Sequence, residues 1–429
     1  MSLSYFWIFL LLLTAGTPVV FALLMGPGVS LIIDGKEVFF SALLSRLYSG
    51  MNSFPLMAVP FFILAGEVMN HGGITQSIVR FSQTLIGHFR GGLAQVNILS
   101  SVLFAGLSGS AVADTSALGK MLIPAMEKNG YSRRFAAAIT AASSVIGPII
   151  PPSGIMILYA FIMNVSVAGL FLAGIVPGLL ISLGLMFITR RIAKKRDYPV
   201  ANSKATWSER GKAFKASFLP LITPIILLGG ILLGVFTPTE AAAVAAGYAL
   251  IITLYVTRTL TFKGLPNILV QAAVQSGSIL LLVGSAVTFA WIITVSGMAE
   301  TIATQLSGIT DNVLILLLLI NLFLFVIGMF LDAGPAILIL GPVLAPIMIS
   351  LGIDPLHFAI VMCVNLTVGL ATPPMGLVLF VASSVSGEKT EDIAFEMLPF
   401  LAVEVGVIFL ITYFPALTMT IPRLFGFAP

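Results

Sequence analysis

One stretch of this 429-residue chain occurs twice. Laying Phe104–Gly178 over Val326–Phe400, a shift of 222 residues, superposes the backbone punctuation without a gap. Gly106 falls on Gly328, Gly119 on Gly341, Pro124 on Pro346, Gly130 on Gly352 and Gly147 on Gly369. Pro151-Pro152 fall on Pro373-Pro374, Gly154 on Gly376 and Pro177 on Pro399. Glycine and proline decide where a backbone bends or stops being helical, whatever the side chains between them do. Both residues are plentiful here, at 40 and 24, but nine matches in one ungapped register outrun coincidence. The chain builds one architecture twice.

That architecture belongs in a membrane. The sequence is 58% hydrophobic and 9% charged, with a mean hydropathy of +1.10. Soluble domains carry about 25% charged residues. Long apolar runs without strand alternation make the spans helical rather than a barrel. Leu10–Leu13 belong to the first run, which resumes past Ala15-Gly16 and so reads as an anchor, not a cleaved signal. Cys363 is the only cysteine and lies in an apolar run, so no disulfide framework exists. Nine of the 21 Lys and Arg fall in 190–215, which the positive-inside rule makes cytoplasmic. A basic run between two spans is a topology signal, and no nucleic-acid partner is expected.

Apolar segments run at about 4–33, 54–70, 91–105, 134–165, 168–189, 217–235, 238–257, 272–296, 312–328, 356–386 and 396–421. Residues 71–92 and their counterpart 296–312, with Gly73 over Gly297, read as short amphipathic helices along an interface. Ser108–Met126 and Asp332–Ile349 are too short and too polar to span, and read as re-entrant hairpins. Lys128, Arg133 and Arg134 follow the first, which puts its open end in the cytoplasm. Asp354 and His357 follow the second, without Lys or Arg, which suits the outside. Together they make an inverted repeat, provided that the segments around each arm add up to one net crossing.

Segments 134–165 and 356–386 are broken, the first by Gly147-Pro148-Ile149-Ile150-Pro151-Pro152-Ser153 and the second by Gly369-Leu370-Ala371-Thr372-Pro373-Pro374-Met375-Gly376. Paired prolines remove N–H groups and unwind a helix at mid-span. Carbonyls of one half-helix and N–H groups of the next then point into the membrane, each costing several kcal/mol, roughly, if left bare. Cations suit the carbonyl end and anions the N-terminal end. A packing kink is the competing reading for a single proline, less so for paired breaks beside paired hairpins.

Asp114 and Asp332 are the acids nearest the hairpin tips. An ionised Asp in a bilayer costs about 2.5–3.5 kcal/mol, which pairing with Na⁺ or H⁺ would offset. The repeat register places Asp332 over Ser110 and Asp114 over Ala336, so two sites would not share identical ligands. Ser108, Ser110, Thr115 and Ser116 add hydroxyls at the first tip, where helix capping is their alternative role. Glu67, Glu240, Glu300 and Glu404 read as segment-end or scaffold residues. Gly106-Leu107-Ser108-Gly109 matches the GxSG of intramembrane serine proteases, but His71, His88 and His357 all lie away from mid-span, so no base serves Ser108. A channel is the other alternative; the long inverted unit with acids at its tips favours a transporter.

The motifs SGSAVADTSALG and GPIIPPSG, a GPxLAPI hairpin (Gly341-Pro342-Val343-Leu344-Ala345-Pro346-Ile347) and NLTVGLATPPMG resemble the large membrane subunit of tripartite ATP-independent periplasmic (TRAP) transporters, over essentially the whole chain. The resemblance implies an all-α, multi-pass protein of the bacterial inner membrane. It would be an inverted-repeat, elevator-type transporter with two re-entrant hairpins and two discontinuous helices. Its transport parts would be 91–165 and 312–386, set in a scaffold of 1–90, 166–311 and 387–429. It also implies sodium-driven import of a carboxylate substrate, with a separate small four-helix membrane subunit and a periplasmic substrate-binding protein as partners. Among its branches the sialic-acid carriers look most similar, with C4-dicarboxylate carriers the close rival. Carried over by position, sodium ligands would be Ser108, Ser110 and Asp114 with Gly147 and Ile150, and Asp332 and Gly334 with Gly369, Thr372 and Met375. Substrate contacts would come from Ser108, Thr115, Ser116, Ser153, Gly154 and Gly376. No arginine lies in that set, which leaves helix N-termini to receive the carboxylate.

Overall fold

A computed structural model describes residues 4–200, 204–298 and 312–427, and every regular element in them is helical. Eight of the described helices are long and apolar enough to cross a membrane. The first apolar run is not one segment over 4–33 but two helices, α1 (Ser4–Thr14) and α2 (Val19–Ile33). Gly16 turns the chain at φ 81°, Pro18 starts α2, and Ser4 Oγ meets Ser30 Oγ at 2.6 Å, so the pair lies antiparallel. Neither arm reaches the roughly 20 residues of a span. After α3 (Phe40–Met51) and α4 (Ala58–His71) comes α5 (Ile74–Ile86), the expected first arm, which buries Ile74, Ile78, Val79 and Ser82 on one face. The second arm and Glu300 fall almost wholly outside the described residues.

The first repeat comprises α6 (Gly92–Ser108), α7 (Ala111–Lys128), α8 (Arg133–Ser144) and α9 (Gly154–Met163). Then follow α10 (Val167–Lys195), α11 (Trp207–Leu232), α12 (Pro238–Ile251) and α13 (Leu265–Ser296). The second repeat is α14 (Val313–Phe330), α15 (Ala333–Ser350), α16 (Pro355–Gly369) and α17 (Leu377–Ser386), and the chain closes with α18 (Thr390–Tyr413) and α19 (Ala416–Leu424). Hydroxyl caps start α7, α8, α9, α10, α11 and α12, from Ser110, Ser132, Ser153, Ser166, Thr206 and Thr237. Each such cap stabilises its helix by about 1 kcal/mol.

The hairpins have other bounds than the sequence suggested. Ser108–Met126 and Asp332–Ile349 are not hairpins in themselves. The first is the helix α7, which packs back on α6 after the turn at Ser108–Ser110; the second is the helix α15, which follows α14 at Leu331-Asp332 and is itself among the eight long and apolar enough to cross, so it is neither too short nor too polar to span. Gly109 adopts φ 58°, a conformation that glycine takes at no steric cost.

The two repeats run in opposite directions. Arg134, at the start of α8, bonds Glu388 and Asp392, beyond the end of α17. At the far side Gly169, just past the end of α9, lies against Leu356 at the start of α16. The units interlock, for α7 packs on α17 and α15 on α9. A matching polar bond ties each first arm to its broken helix. Asn97 of α6 donates to Thr140 at 2.6 Å and accepts from Ser143 of α8 at 3.2 Å. Asn365 of α16, the counterpart of Ser143, donates to Asn321 of α14 at 2.8 Å.

Candidate functional site

The first break is built by missing donors. In a continuous helix the Gly147 carbonyl would accept from residue 151 and the Pro148 carbonyl from residue 152, and both are proline. Ser153 Oγ takes up the Pro148 carbonyl while capping α9 through the Met156 amide. The carbonyls of Gly147 and Ile150 receive no hydrogen bond among the described residues. The tip of the first hairpin lies on this break: a Cβ at Gly109 would stand 3.3 Å from the Pro152 carbonyl oxygen and 3.5 Å from the Gly154 nitrogen.

Asp114, in the first turn of α7, is wholly buried and turns its carboxylate to Gly147, where any Cβ would collide with it. Its Oδ1 accepts from Ser108, and its Oδ2 has no partner among the described residues. One bare carboxylate oxygen thus faces a break with carbonyls left open, an all-oxygen arrangement of the kind hard cations take. The helix N-terminus of α7 adds Ser110, whose side chain accepts from the Ala113 amide. Of the residues expected at this site, Ser108, Ser110, Asp114 and Gly147 come together. Ile150 sends its side chain to Gly178 of α10 and leaves its carbonyl on the break.

The second break is organised differently. Thr372 N donates to the Gly369 carbonyl at 2.9 Å and Val378 N to the Leu370 carbonyl at 3.0 Å, so both carbonyls orphaned by Pro373-Pro374 are taken. Gly369 lies 2.6 Å, measured from a would-be Cβ, from the Gly328 backbone, which locks α14 onto α16. Asp332 is exposed and caps α15 by accepting from the Ala333 amide at 2.8 Å. Met375 is 51% exposed, and Gly334 faces Leu158 of α9. Among the described residues no hydrogen bond joins Asp332 to Gly369, Thr372 or Met375. One break is enclosed and the other open.

The expected substrate residues divide in the same way. Ser108, Ser153 and Gly154 gather at the first tip, with the Ser108 hydroxyl engaged by Asp114 and the Ser153 hydroxyl by Pro148. Thr115 donates to Ser144 at 2.6 Å inside the packed face of α7, and Ser116 is half-buried on another side of that helix. Gly376 folds back on Thr372 across the second break. Ser144 and the Asn97–Ser143 pair were missed in the sequence; Asn97 and Asn321, two amides in apolar runs at nearly the repeat spacing, were the available signal.

Residues 6–417 match the family model described as the tripartite ATP-independent periplasmic transporter, DctM component. The chain belongs to this family. It is 41% identical over 415 residues to the sialic acid TRAP transporter large permease protein SiaM of Vibrio cholerae, covering 96% of both chains. The permease protein SiaT of Haemophilus influenzae, named for sialic acid, is 40% identical over 97% of this chain and 67% of its own. The C4-dicarboxylate large permease DctM of Rhodobacter capsulatus is 34% identical over 89% of this chain and 90% of its own. Among solved structures the Alcanivorax borkumensis YdaH transporter superposes with a TM-score of 0.65 at 18% identity, covering 92% of this chain and 90% of that one. That likeness extends to the fold alone. As a TRAP large permease the chain is a multi-pass membrane protein, its relatives are permeases rather than enzymes, and its family implies a small membrane subunit and a periplasmic binding protein.

Proposed function

We propose that this large permease imports sialic acid into the bacterial cytoplasm by sodium symport through the inner membrane. The observation that carries the coupling is Asp114, a buried carboxylate with one free oxygen set against the open carbonyls of the first break. A carboxylate solute entering an inside-negative cell is opposed by about 2.3 kcal/mol per charge per 100 mV. Accumulation needs a co-moving cation, and Na⁺ bound there would neutralise Asp114 as it moves. Ser108, Ser110, Gly147 and Ile150 complete the first sodium site. Asp332, Gly334, Gly369, Thr372 and Met375 supply a second that tightens when the open break closes. The solute carboxylate meets Ser153 and Gly154 at the start of α9, with Gly376 opposite. In this reading 91–165 and 312–386 travel as one elevator, since α7 packs on α17 and α15 on α9.

Sialic acid is preferred because two of the relatives reported above are named for it, at 40–41% identity, against 34% for the C4-dicarboxylate permease. The test is uptake into liposomes holding this chain and its small subunit, with the binding protein outside. Sialic acid should accumulate only with external Na⁺ and only with both partners present. Accumulation of succinate in its place would move the chain to the dicarboxylate branch, and Na⁺-independent uptake would remove the symport.

A further inference from the structure

Ile393, Met397, Phe400, Glu404, Ile408 and Ile411 recur at three- to four-residue spacing on the buried face of α18. The other buried polar residue of the helix, Thr412, is hydrogen-bonded to the Ile408 carbonyl, so Glu404 stands apart. It is 0% exposed, and neither carboxylate oxygen has a hydrogen-bond partner among the described residues. Phe400, one turn earlier on the same face, packs on Phe135 of α8 with ring centroids 5.9 Å apart. Glu404 therefore enters the seam between α18 and the first broken helix, whose Ala138, Ala141 and Ala142 are fully buried and offer no donor side chain.

The elements packed around α18 are α8, α10, α16 and α17. Their charged and titratable groups are committed elsewhere. Arg133 and Arg134 of α8 pair with Glu127 and with Glu388 and Asp392. Arg190, Arg191, Lys194 and Lys195 are exposed at the end of α10, and Arg196 beyond it pairs with Glu396. On α16, His357 bonds Thr418 and the Thr412 carbonyl, and Cys363 is a buried thiol; α17 has no titratable side chain. On α18 itself Glu391 lies in the first turn with Asp392, and Tyr413 at the far end donates to Leu314. The hydroxyls of α8 are spent as well, Thr140 on Ala136, Ser143 on Asn97 and Ser144 on Ala141.

An enclosed carboxylate without a donor is among the least tolerable states in a protein interior. A hard metal ion would need several more oxygen ligands than this seam offers, whereas a proton needs only the carboxylate. We propose that Glu404 is a proton-binding site, occupied while α18 is packed on α8, so that a proton is a ligand of the closed seam. Opening the seam hydrates the carboxylate and returns the proton to water.

The test uses the full chain in lipid, labelled with ¹³C-glutamate, and reads the C=O stretch of protonated carboxyls by infrared difference spectroscopy near neutral pH. The glutamate label separates Glu404 from the buried Asp114. A label-shifted protonated band is expected in the wild type, and Glu404→Gln should remove it. Thermal unfolding supplies the second readout. A proton held only by the packed state is lost as pH rises, so wild-type stability should fall relative to Glu404→Gln as pH climbs past the ordinary glutamate range, because the variant has no such proton to lose. Absence of the labelled band, or its survival in Glu404→Gln, would overturn the proposal, as would parallel stability curves. Should the variant fail to fold, Glu404→Asp decides: it keeps a carboxyl at the position without the glutamate label, so the label-shifted band should vanish, and its survival would overturn the proposal.

Discussion

At the scale of single residues, the two hairpin acids part company. Read from the chain alone, both are candidates to pair with Na⁺ near the tips. The fold buries Asp114 with an unpaired oxygen and leaves Asp332 exposed on its own helix N-terminus. A charge removed from an enclosed site costs more binding than one removed from a solvated site, because water screens the second. Asp114→Asn should therefore raise the external Na⁺ needed for half-maximal uptake by about tenfold or more, equivalent to ~1.4 kcal/mol. Asp332→Asn should raise it less. Flux measured against Na⁺ in the reconstituted complex checks the order, and an Asp114→Asn curve lying on the wild-type one would refute the first sodium site.

At the scale of elements, the breaks were legible as Gly-Pro punctuation, but not how each would be repaired. Both sequences lose two helical N–H donors. Ser153 repairs one loss in the first break, whereas backbone amides of Thr372 and Val378 repair both in the second. That difference rests on side-chain direction and loop closure, which no residue spacing encodes. The closeness of α14 to α16 follows from Gly328 meeting Gly369. Gly369→Ala would force a methyl to 2.6 Å from the Gly328 backbone, destabilising the fold by about 1–3 kcal/mol. Gly247→Ala in α12, where a Cβ meets nothing within 4 Å, is the control and should be neutral or stabilising by up to ~1 kcal/mol. Thermal unfolding in lipid compares them; equal midpoints would mean that the Gly328–Gly369 crossing is not tight.

For the whole molecule, the antiparallel placement of the repeats makes the turn after α7 and the turn after α15 face opposite sides. Asn129 and Leu351 are exposed in those turns, and unlike Gly130 and Gly352 they do not hold positive φ. In a Cys363→Ala background, Asn129→Cys should react with a cytoplasmic thiol reagent and Leu351→Cys with an external one. Cys363 is fully buried, so its removal takes away little background. Labelling of both positions from one side would sink the inverted arrangement.

The repeat, the helical membrane class, the mid-span breaks and the family were all written in local features: glycine and proline positions, apolar run lengths and a few motifs. These survive in sequence because each acts within about one helical turn of itself. Hairpin bounds needed more, since a turn at Gly109 shows only once α6 and α7 fold against each other. The division of 4–33 into α1 and α2 is local, set by Gly16 and Pro18, but that the two lie antiparallel shows only in Ser4 reaching Ser30. Which acid would be enclosed was decided by packing between elements far apart in the chain. Asp114 is enclosed against Gly147 of the first break, and Glu404 is sealed on the face that α18 presents to its neighbours. Burial is a property of neighbours, and only the tertiary structure supplies them.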